Sequence, residues 1–154
     1  MPLETHDAPL RLLAAFQQAF PDQSPAWVVR APGRELWLAA ARADRDLITI
    51  FSPEMESRTA FTLQSAKTRR THQQRPLPVW ARYPAGVTLM LAQDGMDVGG
   101  VNMALLSGEP VGPRHDYALG MAVAVLWYEI NALPFTVDTL IEIVDRARRD
   151  YVDV

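Results

Sequence analysis

The chain contains no cysteine, which excludes disulfides, thiol nucleophiles and cysteine-based metal sites. It has no apolar run long enough to span a bilayer, so no membrane partner is expected. The stretch Met1 to Asp7 lacks the basic segment followed by an apolar segment that marks a secretory signal; a cytoplasmic location is therefore expected. Lysine is reduced to Lys67, with arginine supplying every other basic side chain, a bias of genome composition rather than of function. Histidine is nearly as scarce: His6, His72 and His115 match no metal-ligand spacing, and no metal site is expected. The formal charge of -3 argues against a general nucleic-acid binder.

What is present suits a single globular domain over residues 1–154. Hydrophobic residues make up 49% and charged residues 21%, ordinary for a chain with a sizeable core. Asp7 to Phe20 reads as a helix, with Asp7 as N-cap, Pro9 in the first turn, and Leu12, Leu13, Phe16 and Phe20 along one face. Short strands follow over Ala26–Ala31, Leu36–Ala41, Leu47–Ser52 and Thr59–Leu63, separated by Pro, Gly and Asp turns. They suggest an antiparallel meander. Ser65 to Pro78 is polar and basic through Lys67, Arg69, Arg70, His72 and Arg75. It reads as an exposed loop, either simply solvated or in contact with an anion or RNA.

Val79 to Ala92 is helical, with Trp80, Tyr83, Val87 and Leu91 on one face and Pro84 expected to bend or interrupt it. Val98 to Ser107 is a fifth strand, and Gly99-Gly100 near its start suggests a bulge or a close approach. Asp116 to Leu133 is a strongly apolar helix. Thr136 caps a last helix running to about Tyr151. The order gives an α+β fold: one mostly antiparallel sheet with helices packed on one face.

The Pro/Gly turn Ser107 to Gly112 opens onto an apolar helix, the arrangement in which backbone N–H groups and the helix dipole cradle a phosphate. Here Pro113 removes a donor. Asp116, at the helix start, is expected to take the capping N–H groups itself and to place negative charge where a phosphate would sit. His115 and Asp116 with Ser107 form no triad, since neighbours on a helix start are not expected to face each other.

Several segments together resemble galactokinases, members of the GHMP small-molecule kinase family. These are Val28-Val29-Arg30-Ala31-Pro32-Gly33-Arg34, the Arg42-Ala43-Asp44 turn, Trp80-Ala81-Arg82-Tyr83-Pro84-Ala85-Gly86-Val87, Pro110-Val111-Gly112 before an alanine-rich helix, and Arg149-Asp150-Tyr151-Val152. Their order carries the resemblance across nearly the whole chain. It implies the ribosomal-S5-like fold of the kinase N-terminal half. In the family, the Ala-Pro-Gly-Arg strand runs into a sugar loop containing Glu, His and Asp. Here a gapless reading puts Ala40, Ala41 and Ala43 at those positions, and the preferred reading deletes the loop so that Leu36 to Ala41 is already the next strand. The family's phosphate loop, Pro-x-Gly-x-Gly-Leu-Ser-Ser-Ser, is reduced to Pro110, Gly112, Arg114 and Asp116. The segment bearing the family's catalytic aspartate would come after Val154. Read this way, the chain is a pseudokinase-like domain without catalytic residues or cofactor. Arg34 is a possible anion contact. A homodimer or another protein is the expected partner, with Trp37, Trp80, Trp127 and Tyr128 serving either as interface or as core. The alternative is an ATP-dependent sugar kinase of carbohydrate metabolism, or one subunit of a split kinase, with Mg-ATP at the Gly112–Asp116 turn.

Overall fold

The computed structural model describes residues 4–154, with side chains from Leu10 onward. Helix α1 (Glu4–Ala19) is followed by strands β1 (Trp27–Arg30), β2 (Leu36–Arg42), β3 (Ile48–Ser52) and β4 (Ser57–Phe61). A short helix α2 (Leu63–Ala66), a 3-10 turn (Val79–Ala81) and helix α3 (Arg82–Gln93) lead to β5 (Val101–Ser107). Helices α4 (Pro113–Ile130) and α5 (Val137–Ala147) complete the fold, with a π-helical turn at Arg148–Val152. Asp7 falls inside α1 rather than at its cap; its side chain lies outside the described residues.

The sheet order is β1-β2-β5-β3-β4. It is mostly antiparallel, with one parallel pair between β3 and β5. This corrects the expected meander, because β5 inserts between β2 and β3. The β2–β3 connection must therefore pass over the start of β5, and Gly100 is where it passes. A Cβ built on Gly100 would lie 1.8 Å from the Arg45 carbonyl oxygen, closer than any side chain permits. Two hydrogen bonds hold the crossing, Ala43 N–H to Gly100 O at 3.1 Å and Val101 N–H to Leu47 O at 3.1 Å. The close approach expected at Gly99-Gly100 is thus found, and its purpose is topological.

Period-two alternation sorts the strand side chains onto two buried faces. Leu36, Leu38, Ile48, Ile50, Met103 and Leu105 join the core beneath α3, α4 and α5. Trp37, Ala39, Ala41, Ala104 and Leu106 form a second core with Leu12 and Phe16 of α1. Helices α3–α5 occupy one face as expected, and α1 additionally covers β2 and β5 on the other. The alanines of β2 leave room for α1 to lie close to the sheet. Burial of both faces explains why β2 is buried from Leu36 to Ala41.

Trp37, Trp80 and Trp127 are all core residues, and Tyr128 is half-buried; the tryptophans thus form no exposed interface. The indole N–H of Trp127 donates to Thr88 Oγ1 at 2.9 Å, and Thr88 Oγ1 donates to the Pro84 carbonyl at 2.7 Å. Pro84 occupies the first turn of α3, where no backbone donor is required, and the expected Val79–Ala92 helix is interrupted just before it, a 3-10 turn at Val79–Ala81 giving way to α3 at Arg82. Thr136 caps α5 as expected, its hydroxyl accepting from Thr139 N–H at 3.1 Å.

The basic segment after β4 begins as the short helix α2 and continues from Lys67 as the exposed loop expected. Thr62 and Ser65 form a capping box. Arg69 reaches the Tyr151 and Val154 carbonyls, and Arg70 donates to Gln74 O at 2.8 Å. No helix among the described residues is long and apolar enough to cross a membrane.

Candidate functional site

The β1–β2 connection is a tight hairpin. Ala31 N–H donates to Leu36 O at 3.0 Å and Arg34 N–H to Ala31 O at 3.1 Å, and Gly33 adopts φ 70°, a conformation natural to glycine. Leu36 is the first residue of β2, so no loop intervenes and Ala40 and Ala41 are buried strand residues. This matches the preferred reading in that Leu36 to Ala41 is already the next strand.

Opposite this hairpin lies the turn from β5 into α4. Gly108 N–H donates to Glu35 O at 2.8 Å, and Glu35 N–H donates to Glu109 Oε2 at 3.1 Å. The carboxylate of Glu109 takes both arms of the Arg34 guanidinium, with Nε to Oε2 at 2.8 Å and Nη2 to Oε1 at 2.5 Å. A bidentate Arg–carboxylate fork is the strongest common form of this contact. Arg34 Nη2 also donates to the Arg114 carbonyl at 3.0 Å. The hydrogen bond from Arg34 holds the Glu109 carboxyl below its usual range, against a smaller upward push from burial. Arg34, expected as an anion contact, therefore meets an anion of its own chain.

Helix α4 begins at Gly112, with φ 153° and no side-chain cap. Asp116 is not the cap that was expected. It lies one turn inside, its N–H donating to Gly112 O at 3.0 Å in the first helical hydrogen bond. Its carboxylate faces the His115 ring, Nδ1 to Oδ1 at 3.2 Å. Adjacent side chains thus do meet here, which corrects the expectation that they would not. His115 is only 1% exposed, and its ring is closed to any substrate. The Ser107 hydroxyl is engaged elsewhere, accepting from Glu109 N–H at 3.0 Å. Glu54, in the β3–β4 turn, accepts from Ser107 N–H at 3.2 Å, and burial raises its carboxyl above the usual range.

Pro110, Gly112 and Arg114 line an open cavity of about 430 Å³ with Glu109, Val111 and Pro113. Pro113 offers no N–H there, the guanidinium of Arg34 is paired with Glu109, and Asp116 places a carboxylate in the first turn of α4, while Arg114 brings a cation to the cavity lining. Among the described residues there is also no cluster of three or more metal-ligating side chains. Sequence reading missed Glu109. The available signal was an acid in one Pro/Gly turn and an arginine in another, but nothing local says that the two turns meet.

No protein-family model and no curated protein matches the sequence. Solved structures do match in fold. The galactokinase of Lactococcus lactis, complexed with galactose, superposes with a TM-score of 0.71 at 15% identity, covering 96% of this chain and 43% of that one. The mevalonate kinase of Methanococcus jannaschii gives 0.58 at 8% identity, covering 74% of this chain and 36% of that one. A D-glycero-D-manno-heptose 1-phosphate kinase from Bacteroides thetaiotaomicron gives 0.53 at 10% identity, covering 75% and 36%. The chain spans less than half the length of each of these three kinases. With five strands in one mixed sheet and five helices about it, the chain has the ribosomal-S5-like α+β fold of the GHMP kinases.

Proposed function

We propose that this chain is a non-catalytic galactokinase-like domain that works as a binding or protein-interaction module. The observation that carries this reading is that the charged groups about the β5–α4 turn are paired within the chain, Glu109 with Arg34 of the β1–β2 hairpin and Asp116 with His115. A ligand phosphate would have to displace a bidentate carboxylate and then sit beside a second one. The hairpin at Gly33 and Arg34 leaves no loop to hydrogen-bond a sugar, and alanine methyls cannot replace those donors and acceptors. A fold kept without such ligands is kept for association, and a second copy of this chain is the simplest partner.

The second reading is an ATP-dependent sugar kinase, or one subunit of a split kinase. It is favoured by the likeness to a galactokinase complexed with galactose and by the side-chain-free N-terminus of α4 at Gly112. It requires Glu109 to swing off Arg34 when nucleotide arrives. Calorimetric titration with Mg-ATP, ADP and a panel of hexoses, together with light scattering, separates the two. No heat and a dimer mass supports the interaction module. Heat with nucleotide that is enhanced in Asp116→Ser supports the kinase reading. A ligand at 100 times its Kd would also raise the stability by about 2.7 kcal/mol, visible as a thermal shift.

A further inference from the structure

We propose that the α1 side of the sheet carries a binding site for a small phosphate ester, in the cleft between the end of α1 and strands β3 and β5. Helix α1 covers β2 and β5 on this face but not β3 and β4. Two cavities of about 400 and 490 Å³ open there, and both are lined by Phe20, Asp44 and Asn102.

The floor of the cleft is polar where a sheet face is ordinarily apolar. Thr49 and Asn102 are register partners across the parallel β3–β5 pair. Thr49 is only 8% exposed. It lines the cleft, and a hydroxyl there offers a ligand both a donor and an acceptor. Asn102 donates its amide to Gln23 Oε1 at 2.7 Å, which leaves its own carbonyl oxygen as an acceptor. His72 is anchored by its backbone N–H to Ala60 O at 3.0 Å, with Nδ1 3.4 Å from the same oxygen. Nε2 is then the ring atom without a protein partner.

The walls carry two guanidiniums, Arg45 and Arg58, alongside the carboxylates of Asp22 and Asp44. Arg45 makes no ion pair among the described residues. Arg58 lies 5.2 Å over the Phe20 ring and 5.8 Å from that of Phe51, and donates one arm to Ala19 O at 2.8 Å. That leaves the rest of a held guanidinium for a ligand. Two guanidiniums and a hydroxyl suit an oxyanion. Asp44, the Asn102 carbonyl and His72 Nε2, all acceptors, suit hydroxyl groups on the same molecule. Phe20 and Leu47 provide an apolar wall for its carbon skeleton. The loop bearing Asp44 and Arg45 is held by its hydrogen bonds to Gly100 and Val101, so the site needs little ordering before it binds. The site does not depend on the β5–α4 turn and stands whichever reading of that turn holds.

The test is an amide NMR titration of the intact chain with glycerol 3-phosphate, inorganic phosphate and glycerol as separate probes. Saturable shifts at Asp44, Arg45, Thr49, Ala60 and His72 are expected with glycerol 3-phosphate. Inorganic phosphate should bind about tenfold more weakly, and glycerol not at all. Arg45→Glu, an exposed position, should weaken binding about tenfold or more while leaving the spectrum dispersed, and His72→Ala should weaken it several-fold. Glycerol binding as well as its phosphate would overturn the proposal. So would shifts centred on Gly112 and Arg114, the absence of saturable shifts at roughly 10 mM probe, or unchanged affinity in both variants.

Discussion

Arg34 and Glu109 lie 75 residues apart in sequence and meet in a two-armed ion pair, Nε to Oε2 at 2.8 Å. The pair ties the β1–β2 hairpin to the turn that starts α4. It also leaves the Arg34 guanidinium already holding a carboxylate.

Replacing Glu109 with glutamine tests this tie. The variant should lose about 1 kcal/mol at neutral pH, a modest figure because the pair is partly solvated. The folded Glu109 carboxyl is depressed below its ordinary value by Arg34. Its contribution is therefore fully present above the unfolded value and is lost as pH falls through the folded one. Urea unfolding from pH 7 down to pH 3 should show a shallower acid decline in Glu109→Gln than in the parent. Parallel declines would mean that the pair carries no stability.

Tyr151 predicts behaviour at the opposite end of the pH scale. Its buried hydroxyl donates to the Ala66 carbonyl, and burial raises its ionisation to about 12 from an ordinary 10.0. The associated stability is present below pH 10 and is lost as pH rises toward 12. Tyr151→Phe should cost about 1 kcal/mol at pH 7, leaving a carbonyl unpaired, and should flatten the alkaline decline seen by circular dichroism. Tyr117 is raised to about 12 as well, through burial and its bond to Asp145, so part of the alkaline slope should survive in Tyr151→Phe.

Three glycines should tolerate a methyl group in a definite order. At Gly100 the new Cβ would overlap the Arg45 carbonyl at 1.8 Å, where backbone must move. Gly100→Ala should cost roughly 3 kcal/mol or more, or fail to fold. At Gly86 it would meet the Tyr151 ring at 2.8 Å, and at Gly120 the Tyr83 Cβ at 3.2 Å. Those variants should cost about 1–3 kcal/mol, Gly86 more than Gly120. Thermal melting of the three side by side would check the order, and a benign Gly100→Ala would contradict the crossing described above.

The Trp127–Thr88–Pro84 relay is buried, and its loss should be cooperative. Thr88→Val preserves shape but leaves the indole N–H without its acceptor, a loss of about 1–3 kcal/mol. Thr88→Ser keeps the hydroxyl and should cost less. A double-mutant cycle of Thr88→Val with Trp127→Phe should return a coupling of about 1 kcal/mol. Additive losses would show that the hydrogen bond contributes little.

The local pieces of this protein were legible because each is written within a few residues. Alternation placed Ile48 and Ile50 on one face and Thr49 and Phe51 on the other. Helical spacing marked Trp80, Tyr83, Val87 and Leu91, and each of the four is buried. Thr136 announced the start of α5. The tight β1–β2 hairpin was legible for the same reason, since only Glu35 separates Arg34 from Leu36, the first residue of β2.

Sequence by itself thus determined the α+β class, the inward faces of the strands and the residues of the turn before α4. Only the tertiary structure decided that β5 lies between β2 and β3, that α1 takes the second face, that Glu109 closes on Arg34, and that Thr49 opens beside Asn102. The physical reason is range. Periodicity states which side of an element is apolar, a property of neighbouring residues. Which strand lies alongside, and which turn faces which, depends on register and crossing. Those are settled only when all faces are buried together and a residue such as Gly100 leaves room for the chain to pass.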